Sequence, residues 1–184
     1  MPAIQGALLL YTDFTSAELY AFSPAVLQRY FDQVVLGFPM SGEVAIQLIL
    51  PVLRELALSR RLNSALGLGT APVDPTGDCE IAGAKIVFDL ERFTLRFLNK
   101  AASTHRIEEY RAGHARLGAV LNADHRLWVH GEDMLDILHW VVVRLRGGAR
   151  TVARPLLGKT LLLATPLGEL AAQPLFLELC GRLS

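Results

Sequence analysis

The residues best suited to acid–base chemistry or metal binding lie between positions 105 and 133. Four histidines fall there, at 105, 114, 125 and 130, and two acidic residues follow the last of them. Imidazole and carboxylate groups relay protons near neutral pH, and both bind zinc. The candidate catalytic residues are therefore His125, His130, Glu132 and Asp133.

The spacing of these residues also has a purely structural interpretation. A short strand is predicted from His125 to His130, and an odd separation on a strand sends the two side chains to opposite faces. Glu132 and Asp133 suit the first turn of a helix, where acidic side chains complement the helix dipole. We therefore predict no metal site, and the catalytic role stays an alternative.

A basic stretch follows this group, because no acidic residue occurs between Asp136 and Glu169. Arginine's planar fork suits phosphate and carboxylate groups. The stretch could bind a small anion or an acidic surface of a partner, or it could be ordinary solvated charge after a helix. The candidate anion- or partner-binding residues are Arg144, Arg146, Arg150, Arg154 and Lys159.

The segment 153–160, ARPLLGKT, lies inside this basic stretch. Through Gly158, Lys159 and Thr160 it resembles the phosphate-binding P-loop of nucleotide hydrolases, in which backbone amides hold phosphates and the hydroxyl holds magnesium. Ala153 replaces the first glycine of that motif. The alternative is a coincidental match on a loop that enters a strand over Lys159–Ala164, and we predict no cofactor.

No nucleophile motif accompanies these residues. Ser41 lies in PMSGE, which is not the GxSxG pattern of hydrolases. Cys79 and Cys180 are far apart and belong to no CxxC pair, so we expect free thiols in a reducing compartment.

No basic leader precedes the apolar start and no apolar run is long enough to span a bilayer, so we expect a cytoplasmic protein.

Hydrophobic periodicity predicts a predominantly helical α+β fold, with five to six helices around a buried central helix and a few short strands. The central helix should run from Ser41 to about Leu62, with Pro51 bending it. The other predicted helices begin near Ser23, Asp89, Thr104, Glu132 and Thr165; those after Asp89 and Thr104 should form a hairpin, and Pro174 should interrupt the last one. The predicted strands are Ile4–Tyr11, Ala84–Phe88, His125–His130 and Lys159–Ala164.

The length of 184 residues fits one domain, 1–184, with a possible division into two lobes at the Gly- and Pro-rich loop 66–78. Hydrophobic residues make up 52% of the chain, the net charge is zero and the mean hydropathy is +0.34. So many apolar side chains are difficult for one small core to cover. His139 and Trp140, at the flank of a core helix, are the candidate interface residues.

These features favour a non-enzymatic interaction or assembly subunit that associates with itself, or with another protein, through apolar surface. Nucleic acid is an unlikely partner for a chain with no net charge. The first alternative is a small intracellular enzyme acting on an anionic substrate. The second is a carrier of an apolar ligand in a cavity under Val44–Leu56.

Overall fold

The secondary structure is mainly helical, as the sequence predicts. A computed structural model describes residues 16–119, 121, 123–146 and 152–183. The strand predicted at Ile4–Tyr11 and the residue Arg150 lie outside this part. Within it, eight α-helices and two strands follow in the order α1 (Pro24–Tyr30), α2 (Gly42–Ala65), β1 (Cys79–Ala82), β2 (Lys85–Phe88), α3 (Leu90–Lys100), α4 (Ile107–Gly118), α5 (Gly131–Arg146), α6 (Arg154–Ala164), α7 (Leu167–Ala171) and α8 (Pro174–Leu183).

Helix α2 is the buried centre of the fold, as predicted. Its apolar residues face α1, α4, α5 and β2, and positions such as Ile49 and Leu53 are almost fully buried. The helix is not buried on every side, because Val44 is 51% exposed and Pro51 lies on the exposed face. Because α2 is buried on several faces, α1, α4, α5 and β2 all pack against it.

Helices α1 and α2 start at capping serines and approach each other closely. The hydroxyls of Ser23 and Ser41 each accept a backbone N–H at 3.3 Å, which satisfies an amide that a helix start leaves free. At Gly42 a Cβ atom would lie 2.0 Å from the carbonyl oxygen of Pro24. Only glycine therefore allows α2 to begin against α1.

A two-stranded antiparallel sheet pairs β1 with β2 and leads into α3. The sequence predicts β2 but not β1. The Asp78 side chain, at the start of β1, has no solvent-exposed surface. Arg92 donates to it at 2.6 Å, and Arg96 on the same helix also pairs with it. These charge-assisted bonds fix the hairpin against α3.

Two predicted strands are wrong. Residues His125–Leu127 form a 3-10 turn, in which the Asp124 carboxylate accepts the backbone N–H of Arg126 at 3.0 Å. Lys159–Ala164 belongs to α6, where Leu157 and Leu161 are fully buried at helical spacing. The apolar run at 161–163 is compatible with either structure, and burial against α1 and α5 selects the helix.

Candidate functional site

The two candidate catalytic carboxylates point to different arginines. Asp133 accepts two hydrogen bonds from Arg60 of α2, at 2.6 and 2.7 Å, and the bond raises the pKa of that guanidinium. Glu132, its neighbour on α5, pairs with Arg154 of α6. Both carboxylates therefore hold helices together, and they do not converge on one point.

The two candidate histidines are half-buried, and one buried ring nitrogen of each has no hydrogen-bond partner in the described part of the chain. The His125 ring lies edge-on to Phe22 at 5.1 Å, and its buried Nε2 has no partner in the described part of the chain. Burial lowers the pKa of this imidazole, because it disfavours the cation. Nδ1 of His130 is likewise buried and unpartnered. Within the described residues, no three His, Cys, Asp or Glu side chains are grouped as metal ligands.

The basic residues that the structure describes have different surroundings, and their role in anion or partner binding stays a prediction. Arg154 pairs with Glu132 and Asp136. The Arg146 guanidinium donates to the carbonyl of Val35 at 3.4 Å, and that of Arg144 lies 5.9 Å from the centre of the Trp140 ring. Lys159 is exposed on α6.

The ARPLLGKT segment lies within a helix apart from its first residue, because α6 begins at Arg154. A P-loop needs free backbone amides ahead of its helix, whereas Gly158, Lys159 and Thr160 are inside α6, and the Thr160 hydroxyl donates to the Leu156 carbonyl at 2.9 Å. A Cβ at Gly158 would lie 3.1 Å from Cγ of Glu18. Close packing therefore accounts for this glycine, and the geometry does not fit a nucleotide.

Cys79 is a free thiol, as predicted, but it is poorly suited to be a nucleophile. Burial raises its pKa to about 12, and the negative charges of Asp78 and Asp74 act in the same direction. The side chain of Cys180 lies outside the described part.

Exposed leucines are concentrated in the last three helices. Leu163 is 87% exposed and Leu167 is 83% exposed, whereas the large exposed apolar residues in the other described elements reach at most 51%. Leu156 and Leu163 are seven residues apart, on one face of α6. We call Leu156, Leu163, Leu167 and Leu177 the C-terminal leucine surface.

A cleft of about 330 Å³ separates α3 from α4, the two helices predicted to form a hairpin. The rings of Phe97 on α3 and Tyr110 on α4 are centred 5.9 Å apart. We call this the α3–α4 cleft. It is lined by Leu90, Glu91, Thr94, Ile107, Tyr110, Arg111, His114 and Ala115.

A polar pair lies beside the α3–α4 cleft. Nε2 of His114 is 2.7 Å from Oε2 of Glu55 on α2. His114 is one of the four histidines noted in the sequence, whereas Glu55 belongs to no motif there. Their separation of 59 positions leaves no local pattern from which the pair could be predicted.

The candidate interface residues lie on the half-buried side of α5. Trp140 borders two surface clefts of about 280 Å³ each, and His139 contributes to one of them. Their role as interface residues stays a prediction.

Comparison with protein-family models, curated protein sequences and solved structures finds no match to this chain. In the part of the chain that the structure describes, no helix combines the length and the apolar character needed to cross a bilayer.

Proposed function

We propose that this protein is a non-enzymatic assembly subunit that associates with a second copy of itself through the C-terminal leucine surface. The single observation that carries the proposal is the exposure of Leu163 and Leu167, at 87% and 83%. Covering these side chains in a partner would contribute roughly 1.5 to 3 kcal/mol for each leucine.

The leucines share a segment that can present them together. Leu156 and Leu163 lie on one face of α6, and Leu167 follows after the short turn at Pro166. Arg29 ties this turn to α1, because it donates to the Ala164 carbonyl at 3.0 Å. A fixed apolar face needs little ordering on association, which favours binding.

Charge favours a second copy over a membrane surface. Helices that lie on membranes are rich in lysine and arginine. The only basic residues of α6 and α7 are Arg154 and Lys159. Arg154 is paired with acidic side chains. The chain carries 18 basic and 18 acidic residues, so two copies have no net charge to repel each other. A two-fold pairing would bring leucines against leucines.

The test compares Leu163→Glu/Leu167→Glu with Leu95→Glu by light scattering after gel filtration. Leu95 is an exposed leucine on α3, at 44%, and serves as the matched control. We expect wild type and the control to exceed the monomer mass of 20.2 kDa at micromolar concentration, and the double variant to match it. Assembly by the double variant equal to that of wild type would overturn the proposal.

The proposal includes a cytosolic location, which the free thiol of Cys79 supports.

A further inference from the structure

We propose that the α3–α4 cleft binds a small, neutral aromatic molecule that carries a hydroxyl group. This inference goes beyond self-association and depends on other residues. The volume of the cleft, about 330 Å³, is that of a small-molecule site, because such sites begin at roughly 300 Å³.

The walls of the cleft favour an apolar ring. Leu90, Ile107 and Ala115 contribute apolar surface from both helices. The rings of Tyr110 and His114 are stacked, with centres 6.4 Å apart and planes inclined by 26°. Aligned ring faces of this kind favour an aromatic ligand, which gains from offset stacking as well as from burial.

The polar pair beside the cleft selects a hydroxyl group. Nε2 of His114 and Oε2 of Glu55 are buried and 2.7 Å apart, and neither has a hydrogen-bond partner among the described residues. A proton on Nε2 is the one that lets this nitrogen approach an ionised carboxylate, and it leaves Nδ1 as the ring nitrogen for a ligand. A hydroxyl can donate to Nδ1 of neutral imidazole and can accept from Nδ1 of the cation.

The charges around the cleft disfavour an anion. Arg111 on the α4 side already pairs with Glu91 at 2.9 Å and with Glu108 at 2.8 Å. The carboxylate of Glu55 lies 2.7 Å from Nε2 of His114. A carboxylate or phosphate ligand would therefore face like charge, with no unpaired arginine among the residues that line the cleft to balance it. The hydroxyl of Tyr110 is also engaged, because it donates to Ser59 at 2.7 Å.

The test titrates ¹⁵N-labelled protein with 4-propylphenol and with propylbenzene, which has the same shape but no hydroxyl group. We expect shifts of α3 and α4 amides and about ten-fold tighter binding of the phenol, as one good hydrogen bond gives. Ala115→Trp should abolish binding by filling the cleft. Ala112→Trp, an exposed position on the same helix outside the lining, should bind as wild type does.

The double variant His114→Phe/Glu55→Leu removes both polar groups, so that no buried carboxylate is left alone. It should still bind both probes, but 4-propylphenol and propylbenzene should now bind with about the same affinity. Leu163→Glu/Leu167→Glu should bind them as wild type does, which separates this proposal from self-association. Unchanged binding by Ala115→Trp, or no amide shifts with either probe, would overturn the proposal.

Discussion

At the scale of single residues, Arg60 and Asp133 hold α2 against α5. Asp133→Asn leaves the guanidinium without its buried carboxylate, so we expect the free energy of unfolding to fall by roughly 2 to 3 kcal/mol. Glu132→Gln is the control, because the Glu132 side chain is 60% exposed and its pair should contribute less than about 1 kcal/mol. Urea unfolding measures both, and equal losses would contradict the structural role of Asp133.

His125 should make stability depend on pH. Burial lowers its pKa below the ordinary 6.5, so the folded chain holds this proton less tightly than the unfolded chain does. The stability that depends on neutral His125 is therefore complete above about pH 6.5 and is lost as pH falls below that value. We expect His125→Gln to reduce the difference between urea midpoints at pH 7.5 and pH 5.5. If the urea midpoints of the variant differed between the two pH values as much as those of wild type, groups other than His125 would cause the pH dependence.

Residue types alone could predict which side chains carry chemistry, but not their partners. The histidines and acids near position 130 are recognisable, yet the partner of Asp133 is Arg60, 73 positions earlier in the chain. Such a pair forms only when α2 and α5 pack together. The same limit applies to Glu55 and His114, which meet across α2 and α4.

At the scale of elements, Gly42 controls how closely α1 and α2 approach. In Gly42→Ala the new methyl group would lie 2.0 Å from the Pro24 carbonyl oxygen and 2.7 Å from the Gln28 nitrogen, so backbone must move. We expect a loss of roughly 1 to 3 kcal/mol, as overpacking costs. In Gly168→Ala, in α7, the new methyl group has no atom within 4 Å, so the stability should be unchanged or slightly higher. Thermal unfolding compares the two, and equal melting temperatures would refute the close approach.

Local signals predict the starts of α1, α2 and α3. Ser23, Ser41 and Asp89 cap α1, α2 and α3 because capping needs only a side-chain oxygen three residues before a free amide. Short apolar runs were less informative, since the run in α6 suits strand or helix until its neighbours are known. Strand β1 was missed although Gly83, with φ of 63°, marks the turn of its hairpin.

At the scale of the whole molecule, composition predicted a surplus of apolar side chains, and four exposed leucines in α6, α7 and α8 provide such surface. The composition could not say where this surface lies. Its position depends on which face of α6 packs on the core: Leu157 and Leu161 are buried, whereas Leu156 and Leu163 are not. That choice follows from tertiary packing, which a count of residue types does not contain.

The measurement that most directly tests self-association is sedimentation equilibrium of the wild-type chain over a range of micromolar concentrations. We expect a weight-average mass that rises with concentration from 20.2 kDa towards a multiple of it, as mass action requires. A mass that stays at 20.2 kDa across the whole range would contradict self-association.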